Sequence, residues 1–497
     1  MQLSMTAAET ARRVSEGELR PLETVDVFMK TAREREPNLH ALLAVLEERA
    51  GHAAERLDAS LSRGEGPGPL SGVPVVLDDG ICVRGTPTTC ASRMLEGWIA
   101  PYDSAASEML DSSGAIICAK GNMDEFSIGC STETSAFGAT ANPCDPGRVP
   151  GGSAGGCAAA VAAGYAPLAL ACDTGGSLLQ PASYCGVYGL RPTYGLVSRW
   201  GVAALAPSMD QLGILSRTVE DAALALSVIS GHDPRDAMSS PGDRPDYMAA
   251  VAVPDGKDAR RPLAGRRIAT VAEMRGGSDL AGACREALDR TLAMLAEAGA
   301  ELVEVHLPLS FNHGLACYQV LLAAEASSSL ARFDGVRHGL SAEADSLNSL
   351  YLGTRGKGFG REVKRVAAAG TYILGSDRYE DCYLRASNVR RRIVGELLDA
   401  LAGCDLIALP TTPTTAFRRG EFDGDYFGMS LSLSFTVQAS LAGLPALSFN
   451  AAGAGELPAG VQLIAPRRGE AGLLAAAAAI ERVRASRDEA GERRSER

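Results

Sequence analysis

Aromatic residues make up only 5% of the 497 residues, with two tryptophans, so a packed core must lean on Ala, Val, Leu and close backbone contacts. Positive charge is also short. Lys and Arg number 48 against 60 Asp and Glu, a formal net of −12, which argues against an electrostatic footprint for nucleic acid over the whole surface. Histidines are few, at 40, 52, 232, 306, 313 and 338, and none of their spacings is that of metal ligands, so no metal is expected. The twelve cysteines include no C-x-x-C pair, and eight fall between Cys82 and Cys185. In a chain of this length they read as free buried thiols in a reducing cytoplasm. Met1 to Arg13 carries Glu9 and two arginines with no apolar run behind them, so no secretory signal is expected. A long uncharged run, Ser153 to Cys172, is built of Ala and Gly and broken by Pro167. It reads as a buried helix followed by a strand, and no membrane association is expected.

What is present is ordinary globular composition, 46% hydrophobic and 22% charged. Thr6 and Glu9 form a helix-start pair, and Leu22, Val25, Val27 and Phe28 continue an apolar stripe. Residues 1–65 therefore read as a helical segment packing on the core, with Asp58 to Leu70 a surface connection. Short apolar runs bounded by Gly or Pro, Val73 to Leu77 and Ala115 to Ala119, read as buried strands. Further along, strands are expected at Arg267 to Val271, Glu301 to Val305 and Leu406 to Leu409, with helices at Asp279 to Ala298 and about Tyr379 to Leu401. This alternation predicts an α/β fold, a large mixed sheet covered by helices on both faces. The core is expected over 66–480, with an irregular stretch at Ser239 to Arg266 and an inserted lobe around 240–400. The charge-dense segment 481–497 is expected to fray.

The most unusual composition lies between Arg148 and Pro192, where two glycine-rich turns, Gly151-Gly-Ser153 and Gly175-Gly-Ser177, each deliver a serine. A phosphate loop lacks its lysine and hydroxyl here, and no G-x-G-x-x-G is present. Gly151 to Gly155 matches G-x-S-x-G, but Asn142 to Pro150 before it is a proline-broken loop rather than a strand. No histidine occurs between 53 and 231, which weakens a Ser-His-Asp triad. One glycine-serine turn would serve tight packing; two within 25 residues point to a site.

The motifs Gly72-Val-Pro-Val, Lys120-Gly-Asn-Met-Asp-Glu-Phe126, Arg148-Val-Pro-Gly-Gly-Ser, Asp173-Thr-Gly-Gly-Ser177 and Cys185-Gly-Val-Tyr-Gly-Leu-Arg-Pro-Thr resemble those of the amidase signature family. Thr218-Val-Glu-Asp-Ala-Ala, Gly231-His-Asp-Pro-Arg-Asp, Ala324-Glu-Ala-Ser-Ser and Leu441-Ala-Gly-Leu-Pro resemble, within it, the A subunits of glutamyl-tRNA(Gln)/aspartyl-tRNA(Asn) amidotransferases. The resemblance implies amide hydrolysis through an acyl-enzyme on Ser177. Ser153, held by a cis peptide bond, would relay the proton to a neutral lysine. Backbone N–H groups around Thr174, Gly175 and Gly176 would form the oxyanion hole. No cofactor is implied. Partners resembling the C-type and B-type subunits are, with tRNA bound by the assembly rather than by this acidic chain.

Against that pattern the sequence departs where the chemistry is. The strand-end motif Gly-Val-Pro-Val-x-x-Lys-Asp reads Gly72-Val-Pro-Val-Val-Leu77-Asp78-Asp79, with Asp78 at the lysine position. A carboxylate is a feeble base for an alcohol, and burial raises its basicity only by holding the proton it should receive. Lys120 belongs to a different motif and is not a substitute. The family's arginine two residues after the nucleophile is Leu179, which removes an expected partner of Asp173. The A-type basic run reads Lys364-Arg365-Val366, and the aspartate upstream of Leu-Ala-Gly-Leu-Pro falls at Leu433, so the charges that would hold the carboxylate and ammonium of glutamine are aliphatic. Arg365 and Tyr318 remain as substrate-side candidates. Cys157 as a replacement nucleophile, and Asp78-Asp79 as a metal site, are weaker readings than an inert thiol and hydrogen-bonded carboxylates. Three functions are therefore open: a catalytically impaired scaffold, that is, a pseudoenzyme; a hydrolase of a less polar amide or ester through Ser177; and a working glutaminase component of the tRNA-dependent complex.

Overall fold

Short Val-, Ile- and Leu-rich runs flanked by Gly and Pro become strands because both of their faces can be buried. In the computed structural model, which describes residues 5–242, 244–252, 261–276 and 280–495, eleven of them form one sheet. They are β1 (Leu42–Val45), β2 (Pro74–Asp78), β3 (Ile116–Gly121), β4 (Leu168–Asp173), β5 (Tyr188–Arg191), β6 (Gln211–Ser216), β7 (Arg267–Val271), β8 (Glu301–Val305), β9 (Leu406–Pro410), β10 (Ala446–Asn450) and β11 (Gly460–Ile464). Their order is β1-β3-β2-β4-β6-β5-β10-β11-β9-β7-β8. The sheet is mixed: β2 runs parallel to β3 and β4, and β7 to β8 and β9, whereas β6 is antiparallel to β4 and β5. Every residue of β2, β3, β4, β6, β9 and β11 is buried, so helices cover both faces there. The α/β fold with a large mixed sheet is as the sequence predicts.

The N-terminal segment is helical at Ala7–Ser15, Pro21–Leu39 and Glu47–Ser62, the first capped by Thr6, whose hydroxyl accepts from the Glu9 N–H at 3.0 Å. It also supplies an edge strand, β1, paired with β3. Four residues between two helices carry no readable period. The helix Glu47–Ser62 takes in part of the stretch expected as a surface connection. Between Ser239 and Arg266 lies a short helix, Tyr247–Val251, while Asp243, 253–260 and 277–279 lie outside the described residues. Helix Gly282–Glu297 falls within the helix expected over Asp279 to Ala298. The helix expected over Tyr379 to Leu401 is a wide π-type turn at Glu380–Leu384 followed by helix Arg385–Ala402. At the C-terminus, helix Glu470–Ser495 continues through the charge-dense segment from 481, and side chains beyond Arg487 lie outside the described residues. No described helix is long and apolar enough to cross a membrane.

Because β2 and β4 are parallel, their C-terminal ends open at the same edge of the sheet, which is where ligands sit in sheets of this kind. β2 ends on Asp78 and β4 on Asp173. Helices Pro308–Leu330 and Arg361–Ile373, from the expected lobe, carry Tyr318 and Arg365.

Candidate functional site

The chain leaves β4 at Asp173, turns through Thr174 to Ser177 and enters helix Leu179–Cys185. The turn has little room. A Cβ on Gly175 would lie 2.3 Å from Cζ of Tyr318, and one on Gly176, at φ +117°, would lie 2.0 Å from the Thr436 hydroxyl oxygen. Only glycine fits both positions. Thr436 holds the turn by donating to the Gly175 carbonyl at 2.7 Å. Tyr318, expected on the substrate side, is thus buried against the turn itself.

Asp173 organises this turn from inside. Its carboxylate accepts from the N–H groups of Gly176 and Leu178, each at 3.0 Å, and from the Arg191 guanidinium on β5. Arg191 also donates to the carbonyls of Asp173 and Met209, both at 2.7 Å, and is fully buried. The expectation that Leu179 leaves Asp173 without its partner is therefore corrected. The cation arrives across the sheet from β5 instead of from the adjacent helix, and a buried carboxylate without it would be costly. Gly176 spends its N–H on Asp173, so of the three residues expected around an oxyanion hole it is the one whose donor is occupied. The N–H groups of Gly175 and Ser177 make no hydrogen bond to any described residue, which is what an oxyanion needs of its donors. Thr174 turns its hydroxyl to Asp210 at 2.7 Å.

The second serine turn is tied to the first. The Ala154 N–H donates to the Ser177 carbonyl at 3.0 Å, and Gly152 N–H donates to Gln180 Oε1 at 2.8 Å. Gln180 in turn donates to the Cys130 carbonyl and to Ser432, both at 3.0 Å. The Gly152–Ser153 peptide is cis, in keeping with the resemblance. Asn142 to Pro150 holds no strand, so the nucleophile-elbow geometry is absent there. The hydroxyl of Ser153 is buried and hydrogen-bonds no described residue, and that of Ser177 likewise has no hydrogen-bonding partner among them.

At the position of the base, Asp78 points inward and is fully buried. Its carboxylate accepts from the Gly80 N–H at 3.1 Å and the Cys172 N–H at 3.4 Å. Burial pushes its pKa up to about 6, against those two N–H groups and Lys120, with the neighbouring charge of Asp79 adding to the rise. Lys120 is turned away from this task. Its amine faces Asp79 at 3.2 Å, the Thr88 hydroxyl at 3.3 Å and the Pro87 carbonyl at 3.4 Å. An ammonium with three acceptors has no lone pair to lend a serine. Asp79 completes its own shell with the Thr89 N–H at 2.8 Å and the Thr89 hydroxyl, so the acidic pair is satisfied by protein donors. Cys157 is fully buried, and desolvation followed by the charge of Asp78 drives its thiol well above the usual range, so it is no thiolate nucleophile. All twelve cysteines are unpaired thiols.

On the substrate side, Val366 and Leu433 are buried aliphatics where the resemblance places charge. Arg365 stacks over the Tyr426 ring, 3.7 Å from its centroid, and its Nε donates to Glu362 at 2.7 Å; its contacts are there rather than at the serine turn. Sequence reasoning assigned no role to Arg191, Gln180, Thr436 or Tyr426. Only Arg191 left a signal, as a lone cation closing an apolar strand run.

Three comparisons place the chain among known proteins. The family model described as Amidase matches residues 23–474. The A subunit of the glutamyl-tRNA(Gln) amidotransferase of Synechococcus sp. (strain JA-2-3B'a(2-13)) is 46% identical over 454 residues, 91% of this chain and 87% of that protein. Its counterpart in Gloeobacter violaceus is 46% identical over 479 residues, 95% of each chain. Among solved structures, the A subunit of the Thermotoga maritima glutamyl-tRNA(Gln) amidotransferase superposes with a TM-score of 0.78 at 36% identity, covering 96% of this chain and 94% of that one. A protein described with a vestigial complex and the evolutionary origins of an s-triazine catabolic enzyme superposes at 0.82 and 28% identity, covering 96% and 98%. By motif, fold and full-length similarity, the chain belongs to the amidase signature family and is a close homologue of the A subunits of glutamyl-tRNA(Gln) amidotransferases.

Proposed function

We propose that this chain is an A-type amidotransferase subunit whose amide-hydrolysing relay has lost its base, and that it works in the cytoplasm as a scaffold for partners resembling the C-type and B-type subunits. The observation that carries this reading is the state of Asp78. Its two oxygens are engaged by the Gly80 and Cys172 N–H groups, while the buried hydroxyl of Ser153 has no described partner. In the relay, Ser177 would lose its proton to Ser153 and Ser153 to an amine. A carboxylate does not replace that amine, and Lys120 is committed to Asp79. Losing one member of such a unit costs about 10⁴ to 10⁶ in rate. The aliphatic pair Val366 and Leu433 supports the same reading, since a zwitterionic amino acid loses both of its charged partners there. Nucleic acid would be held by the assembly, in keeping with the net charge of −12.

A second reading has its own support. The unpaired N–H groups of Gly175 and Ser177 remain available to an oxyanion, which suits a hydrolase of a less polar amide or ester. Ammonia release from glutamine separates the cases, measured on the purified chain and on the chain reconstituted with B-type and C-type subunits. The scaffold reading predicts release indistinguishable from a Ser177→Ala control in both. Ser177-dependent release in the complex would instead make this a working glutaminase, in spite of Asp78.

A further inference from the structure

Beside Tyr426, on the substrate side and lined by the clamp position Val366, lies a cavity of about 320 Å³. Its walls are mostly apolar, with Val320, Leu322, Val366, Ala369 and Ile373 contributed by helices Pro308–Leu330 and Arg361–Ile373, and Gln319 the one neutral polar side chain apart from Tyr426. One cation stands among them. Arg365 lines the cavity with its guanidinium over the Tyr426 ring, and among the described residues only its Nε is hydrogen-bonded, to Glu362. Its two terminal amino groups hydrogen-bond no described residue, so the planar fork that suits a carboxylate is unspent. The ring beneath fixes its orientation, which removes most of the entropy cost of gripping an anion. Tyr318, whose phenol burial drives well above its ordinary range, abuts Gly175. Half-buried Tyr426 lines the cavity, and buried Tyr318 packs on the nucleophile turn.

We propose that this cavity binds a small apolar carboxylate, an aryl or short branched acid, with its hydrocarbon against Val366 and Ala369 and its carboxylate on the terminal nitrogens of Arg365. The volume is at the low end for ligand sites and suits a ligand of one or two rings. An arginine at position 366 would fill the wall with charge; valine makes it apolar. In that respect the inference rests on the loss of the amino-acid clamp described above. It extends that reading by giving the altered lobe a ligand of its own.

The probe is 1-naphthoate, titrated calorimetrically into the full-length protein, with 1-naphthalenemethanol as its uncharged counterpart and glutamine as the polar one. Saturable binding of naphthoate is expected, weakened at least tenfold by Arg365→Gln and abolished by Ala369→Trp, each variant having first been shown to melt like the wild type. The alcohol should bind at least tenfold more weakly than naphthoate, and glutamine should not compete. Ser177→Ala should bind naphthoate as the wild type does. No saturable binding, or an affinity unmoved by Arg365→Gln, overturns the proposal. Glutaminase activity in the wild type would sink the scaffold reading while leaving the naphthoate affinity of Arg365→Gln to decide this one.

Discussion

The two sides of the candidate site differ in how completely their polar groups are matched. On the nucleophile side, Asp173 is held by three backbone N–H groups, the Ser440 hydroxyl and a buried arginine, Thr436 secures Gly175, and Gln180 links the two serine turns. The donors left without a described partner there include the N–H groups of Gly175 and Ser177, which an oxyanion would use, together with the Ser177 hydroxyl and the buried Arg191 Nε. On the base side, Asp78 sits among backbone donors with its pKa raised, Lys120 serves Asp79, and the Ser153 hydroxyl has no described partner. On the proposed reading, one side keeps the architecture of a reaction and the other keeps only its packing. A fold can retain a turn whose residues also hold the core together after losing a side chain that served proton transfer alone. Asp173 and Arg191 belong to the first kind, being needed for burial whatever the chemistry.

The comparison breaks most sharply if the base side is rebuilt. Asp78→Lys alone should leave glutamine untouched if, as proposed, Val366 and Leu433 have replaced the clamp. Asp78→Lys combined with Val366→Arg and Leu433→Asp should raise Ser177-dependent ammonia release by about 10³-fold or more over the wild type. Full recovery from Asp78→Lys alone would show that Val366 and Leu433 are not the clamp positions. Next in size is the loss of the cation on the nucleophile side. Arg191→Met leaves the Asp173 carboxylate buried without it and should cost about 3–5 kcal/mol in urea unfolding. A loss under about 1 kcal/mol would mean that the backbone donors suffice.

Titration sharpens the contrast further. Asp78 in the folded chain holds its proton to a pH of about 6 against an ordinary value of 3.8, so between those values the folded state binds more protons than the unfolded one. Its contribution to stability therefore falls as pH rises through that window, opposite to a salt-bridged aspartate. The wild type should lose stability relative to Asp78→Ala from about pH 4 to about pH 7, by an amount on the order of 2–3 kcal/mol. A difference between the two that stays flat with pH contradicts the assigned environment. The smallest effect is expected at Thr436→Val, which leaves the Gly175 carbonyl without its hydroxyl donor and should cost about 1 kcal/mol.

Much of the fold was legible because its signals are local. β7 and β8 fall at the bounds that their apolar runs set, and helix Gly155–Ala162 followed by β4 is the Ala-rich run broken by Pro167. β1 was not legible, because four residues carry no period and its strand identity comes from pairing with β3, more than seventy residues away in sequence. The helix expected from Tyr379 begins instead with a wide turn, since the apolar pattern is the same for both. At the site, the glycine-serine turns and the substitution at Asp78 were readable as motif and departure. The Asp173–Arg191 pair was not, because Leu179 is the local clue and it points the wrong way. The real partner comes from a neighbouring part of the sheet that no spacing encodes. The engagement of Gly176 with Asp173 was equally hidden, for a backbone N–H leaves no mark in a sequence.

Reaction of the purified, folded protein with a serine-reactive fluorophosphonate, followed by intact mass, tests directly whether Ser177 still has a base. A serine activated through the Ser153 relay forms a stable adduct, and an unassisted hydroxyl does not. The expected result is no adduct on the wild type and a single adduct on Asp78→Lys that disappears in Asp78→Lys/Ser177→Ala. A stoichiometric adduct on the wild type, lost in Ser177→Ala, would contradict the account and show that Asp78 or another group still activates the nucleophile.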